Sequence, residues 1–148
     1  MQRTINLGDE KTSKDYLELL RTKRYVPFDI RIVNSHITLL NEVIGKKIFK
    51  RDALYINSDT LWEIMQPLGG RGKHHFHNLS PTNIYDALHS IKDSKEVIVS
   101  YDNRYVIVTL STFNESTNIA VVVTTNALLN SGKTKVLKII TLYPQDKK

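Results

Sequence analysis

Two spacings of apolar residues divide this chain. Up to Ser94 they recur mostly three and four positions apart, the period of a helix face, and from Lys95 onward they alternate with polar residues, the period of a strand. A helix over 14–23 places Tyr16, Leu19 and Leu20 on one side. Pro27 marks the boundary before a short strand at 28–33. Ser35 can then cap a helix whose Ile37, Leu40 and Ile44 share a face and which stops at Gly45. A second short strand is expected at 52–57. It leads into a helix with Leu61, Ile64 and Met65 at i, i+3 and i+4, for which Thr60 and Glu63 fit a capping box. Pro67 disfavours helix at Gln66, and Gly69-Gly70 makes a sharp exit. Ser80-Pro81 starts the next helix, with Ile84, Leu88 and Ile91 on one face.

Four strands follow, at 96–101, 104–112, 117–125 and 134–143, joined through Asp102-Asn103, Asn114-Glu115-Ser116 and the longer stretch 126–133. In the second, Tyr105, Ile107, Thr109 and Ser111 share one face, and Val106, Val108 and Leu110 the other. In the fourth, strict alternation puts Lys135, Leu137, Ile139, Thr141 and Tyr143 together. The expected fold is α+β: N-terminal helices packed on a C-terminal antiparallel meander of about four strands. The 148 residues fit a single domain, 1–148, with a helical N-terminal part at 1–50 and a core at 51–148.

Composition adds two constraints. With no cysteine, thiolate catalysis, disulfides and cysteine-based zinc sites are excluded. A net charge of +6 leans toward a polyanionic partner such as nucleic acid. Met1-Gln-Arg-Thr-Ile-Asn6 is too polar for a signal peptide, and no apolar run reaches membrane-spanning length, so no membrane is expected as a partner.

The densest chemistry lies in Gly69-Gly70-Arg71-Gly72-Lys73-His74-His75-Phe76-His77. Three of the five histidines stand beside two cations on a glycine loop. Imidazoles move protons near neutral pH, and Arg71 and Lys73 can hold a phosphate, Arg71 in bidentate fashion. In an extended segment His75, His77 and Lys73 point the same way. In a tight turn His74 replaces either histidine, so the pairing of acid and base stays open among the three. Adjacent histidines rarely converge on one ion and no carboxylate stands at a familiar ligand spacing, so neither metal nor cofactor is expected. Asn130-Ser131-Gly132-Lys133 lacks the upstream glycine of a phosphate-binding loop. The Lys46-Lys47 and Lys50-Arg51 pairs suit RNA phosphates or a solvated face. His36 and His89 read as structural or surface residues, and Trp62 as an anchor of the core.

A helix, then a histidine-bearing segment ending in Lys73-His74-His75-Phe76, then an antiparallel sheet closing on Ile140-Thr141-Leu142-Tyr143: this order resembles the BECR superfamily of RNases and toxins, which includes barnase, EndoU, colicin-type tRNases, RelE-type toxins and phage-associated members. The resemblance spans about residues 53–143. It implies a nuclease core at 51–148 that cleaves RNA without metal, by attack of the 2′-hydroxyl on the adjacent phosphate. His74, His75 and His77 would supply acid and base, and Arg71 and Lys73 would bind the phosphate. Thr141 and Tyr143 match terminal-strand positions that bond phosphate or stack a base. Many members carry a histidine in the preceding helix, where this chain has Leu61-Trp62-Glu63-Ile64-Met65; a shifted alignment would make Glu63 the base. The resemblance also implies a toxin or phage or mobile-element effector, acting in the cytoplasm of its own or a target cell and restrained by an antitoxin or immunity protein. A noncatalytic module that binds nucleic acid or protein through the same basic surface is the alternative.

Overall fold

The computed structural model describes residues 3–22, 26–33, 53–65, 79–93, 96–99, 104–114, 117–128 and 135–146. In chain order these form β1 (Arg3–Asn6), α1 (Glu10–Arg21), β2 (Phe28–Val33), β3 (Ala53–Asn57), α2 (Ser58–Met65) and α3 (Pro81–Ser90). A 3-10 turn (Ile91–Asp93) precedes β4 (Glu96–Val99), β5 (Arg104–Asn114), β6 (Thr117–Leu128) and β7 (Lys135–Asp146). The expected helix at Ile37–Ile44 lies outside the described residues.

All seven strands share one mixed sheet, ordered β1-β2-β3-β7-β6-β5-β4. β4 to β7 make the antiparallel meander anticipated from the alternation. The expectation of helices resting on about four antiparallel strands is nevertheless overturned, because three strands of the N-terminal part extend that sheet. β1 runs parallel to β2, β2 antiparallel to β3, and β3 parallel to β7. The reason is physical: 28–33 and 53–57 each have one apolar face and a row of backbone donors and acceptors, and pairing satisfies both at once. β1 gave no such signal, since its four residues carry a single apolar side chain, Ile5.

The three helices join the strands in one core on one side of the sheet. Ile5, Ile30, Ile32, Leu54, Ile56, Ile107, Ile119, Val121, Val123, Leu137, Ile139 and Leu142 meet Leu17, Leu20, Leu61, Ile64, Ile84 and Leu88 there. α1 starts at Asp9, whose side chain accepts from the Thr12 N–H at 3.2 Å. It buries Ser13, Leu17 and Leu20 rather than Leu19, and packs against both α2 and α3. The Tyr16 ring meets Phe28 edge-on at 5.1 Å. α2 begins directly at the end of β3, earlier than the Thr60–Glu63 capping box required. Asn57 Oδ1 instead accepts from the Thr60 N–H at 2.9 Å, and Ser58 Oγ accepts from the Phe28 N–H at 3.1 Å, tying α2 to β2. α3 has the expected Ser80 cap, made reciprocal by Asn83, and its Tyr85 hydroxyl donates to the Leu7 carbonyl at 3.2 Å. Trp62 is half-buried against the core as anticipated.

The two halves of the sheet meet at β3 and β7, where Leu54 pairs with Leu137 and Tyr55 with Lys138. Leu54→Ala leaves a cavity at this junction and should cost about 2–5 kcal/mol of stability. Urea unfolding followed by the fluorescence of Trp62, the chain's single tryptophan, and by far-ultraviolet circular dichroism should give one coincident transition in both proteins. Separation of the two curves would mean that the halves fold independently.

Candidate functional site

β7 does not alternate strictly. Val123 pairs with Ile139 and Val122 with Thr141, so Ile140 is an extra residue opposite a continuous β6. Such a bulge flips every later side chain to the other face. Leu142 therefore enters the helix-side core after Leu137 and Ile139, while Thr141 and Tyr143 turn to the opposite face. The expected grouping of Thr141 and Tyr143 with Leu137 and Ile139 is corrected accordingly. Its sequence signature was present: core apolar residues at 137, 139 and 142 are spaced two and then three apart.

On this second face Thr141 stands beside Val122 and Tyr143 beside Ala120, with Val106 and Val108 next along the same rows. Ala120 and Val122 are buried without belonging to the helix-side core. The small side chain at 120 leaves room for the half-buried Tyr143 ring. Burial raises the Tyr143 pKa above the ordinary phenol value; at neutral pH the phenol is protonated, as any tyrosine is, and can donate a hydrogen bond. Thr141 Oγ1 lies 3.5 Å from the Leu142 carbonyl oxygen, long for a hydroxyl bond. A second irregularity, in β5 beyond Val108, is pinned by Thr109: its hydroxyl donates to the Ile119 carbonyl at 2.7 Å, and its carbonyl accepts from Asn118 Nδ2 at 2.9 Å.

Arg71, Lys73, His74, His75 and His77 all lie in 66–78, outside the described residues. That segment leaves the end of α2 at Met65 and returns at Leu79, both buried in the core. The structure thus brings Thr141 and Tyr143 together. Glu63 sits on α2, which packs on β7 from the helix side, whereas Thr141 and Tyr143 occupy the other face. His89 is exposed on α3 and stacks on Tyr85 with ring centres 6.0 Å apart. Among the described residues no group of three or more histidines and carboxylates is placed to hold a metal ion, and no helix is long and apolar enough to cross a membrane.

The same face carries residues that sequence reasoning missed. Successive pairings align Asn6, Arg31, Tyr55, Lys138, Thr124 and Arg104 in one row across β1, β2, β3, β7, β6 and β5. Each neighbours a core residue in the chain, as Arg31 does Ile30 and Ile32, so its outward direction was legible. Which residues would stand side by side was not, because that depends on long-range register. Arg31 Nε donates to the Tyr55 hydroxyl at 3.2 Å, holding guanidinium and phenol together.

Comparison with protein-family models, with curated proteins and with solved structures finds no match to this chain.

The raised Tyr143 pKa has a testable consequence. The folded chain holds this proton more tightly than the unfolded one, so stability should fall as pH rises above about 10, the ordinary tyrosine value. Ultraviolet difference titration should show late-ionising tyrosine, and Tyr143→Phe should remove part of it and flatten the alkaline loss of stability. Among the described residues the remainder belongs to Tyr85, raised by burial and then by Glu10, Asp86 and Asp9. An unchanged titration in Tyr143→Phe would contradict the burial of this ring.

Proposed function

We propose that this chain is a metal-independent endoribonuclease. The observation that carries the reading is the presentation of Thr141 and Tyr143 side by side on the terminal strand, each offering a hydroxyl on the face opposite the helices. Both suit hydrogen bonding to a phosphate oxygen, and a phenol ring also offers a stacking surface for a base. The net charge of +6 and the acid, base and phosphate-binding types gathered in Arg71, Lys73, His74, His75 and His77 support it further.

In the proposed reaction one imidazole removes the proton of the 2′-hydroxyl, whose oxygen attacks the neighbouring phosphorus. A second imidazole, already protonated, gives its proton to the departing 5′-oxygen. The products are a 2′,3′-cyclic phosphate and a free 5′-hydroxyl, with no net consumption of protons. Arg71 and Lys73 offset the charge that builds on the phosphate oxygens. The barnase-like architecture is not part of this proposal, since the seven-stranded mixed sheet departs from it. An RNase of this kind acts as a toxin or mobile-element effector, which calls for an antitoxin or immunity protein that blocks the cationic surface.

Incubation with total RNA and an end-labelled oligonucleotide in EDTA tests this. Cleavage to cyclic phosphate ends is expected, falling about 100- to 10,000-fold in the variants that remove the acid or the base among His74→Ala, His75→Ala and His77→Ala. Tyr143→Phe should lose less, since the ring remains. RNA that is bound but left intact, with all three histidine variants unchanged, would establish the noncatalytic binding module instead.

A further inference from the structure

We propose that the row Arg31, Tyr55, Lys138, Thr124 and Arg104 is a track for the backbone of single-stranded polynucleotide, laid across the strands on the sheet face opposite the helices. This goes beyond the cleavage reaction, because it concerns residues remote from the histidine segment in sequence and holds whether or not the bound strand is cut. Asn6, Arg31 and Tyr55 belong to β1, β2 and β3, the strands that extend the meander.

Neighbouring strands lie about 4.8 Å apart, so Arg31 and Lys138 stand roughly 10 Å from each other, and Lys138 and Arg104 a further 10 Å or so. Cations at such intervals along a line fit a flexible chain of phosphates better than a compact anion, which needs convergent donors. The face also has its own charge balance. The described ion pairs, Lys14 with Glu10 and Arg21 with Glu18, are both on α1, and neither Lys138 nor Arg104 takes part in them. Of the described carboxylates on the track's face, Asp29 is fully buried and Glu96 stands on the edge strand β4, two rows away. Tyr55, whose hydroxyl accepts from Arg31, lies between two cations, the setting in which a base can stack while its flanking phosphates are neutralised. Stacking of this kind needs an unpaired base, which selects a single strand over a duplex.

Binding of a fluorescent 2′-O-methyl oligonucleotide, which has no 2′-hydroxyl to attack, measures the track independently of cleavage. Removing all three cations in Arg31→Gln/Lys138→Gln/Arg104→Gln should weaken binding by about tenfold or more and lower the slope of log affinity against log salt by about 2, roughly 0.7 per contact. Because Arg31 also donates to the Tyr55 hydroxyl, Lys138→Gln/Arg104→Gln alone should give about two thirds of that change in slope with an unaltered melting curve. The variant Lys11→Gln/Lys14→Gln/Arg21→Gln removes the same charge from α1 and should bind almost as the parent does. Tyr55→Ala should lose on the order of tenfold, and Lys138→Arg should retain affinity. Equal losses from the α1 variant would overturn the track, leaving only net charge. Displacement of the oligonucleotide by polyglutamate at equal charge would overturn it in favour of an acidic polypeptide. Failure of the parent to cleave RNA, with these binding differences intact, would sink the nuclease reading and leave the track standing.

Discussion

Two rungs of parallel pairing hold this molecule together. At the β3–β7 junction Leu54 faces Leu137 and Tyr55 faces Lys138, and through that contact, among the described residues, the sheet of the first half becomes continuous with the meander of the second. The first rung points into the helix-side core, where both leucines are buried. The second points the other way and joins the two halves of the polar row. One register therefore decides both what the core contains and which cations align. A slip of one residue would exchange the rungs, burying Lys138 and exposing Leu137. The cost of burying an unpaired ammonium makes the register strongly determined.

The bulge at Ile140 follows from the same kind of demand. β6 offers Ile119, Val121 and Val123 to the helices at an unbroken period of two. β7 must keep Leu137, Ile139 and Leu142 in the same core, with Ile139 opposite Val123 and Leu142 opposite Val121, and these three are not evenly spaced. Accommodating one extra residue keeps all three in the core, and the price is that Thr141 and Tyr143 leave it. Two hydroxyl-bearing side chains thereby reach the face that also carries Arg31, Lys138 and Arg104. The composition of the core and the placement of the candidate site are thus one event, since a regular β7 would have put Thr141 and Tyr143 under the helices.

Much of the local structure was legible because it rests on local rules. The Ser80-Pro81 start, the strand at 28–33 and the four meander strands follow from capping chemistry and alternation. What failed was non-local. β1 is too short to announce itself and exists because β2 offers it a partner. The cap of α2 moved to Asn57 because β3 runs straight into the helix, leaving no loop in which Thr60 could serve. Of the candidate site, Thr141 and Tyr143 were named from the order of parts, and their face was misjudged because a strict alternation was assumed. The row of cations was invisible for a deeper reason: its members come from strands between residues 3 and 146, and only the pairing pattern makes them neighbours.

The distribution of charge gives the net value of +6 a meaning that the sum lacks. On α1 the exposed charges pair within the helix, Glu10 with Lys14 and Glu18 with Arg21, and such surface pairs contribute little field at a distance. Across the sheet the cations Arg31, Lys138 and Arg104 are spread over separate strands. On α1 both signs alternate, whereas the row on the opposite face is cationic, with Asp29 buried beside it and Glu96 two rows away. Thr141 and Tyr143 lie on that same face. In the proposed reading, attraction and the candidate chemistry share a side of the sheet, and a strand held along the row by its phosphates would lie in the neighbourhood of the two hydroxyls without any specific recognition of its bases.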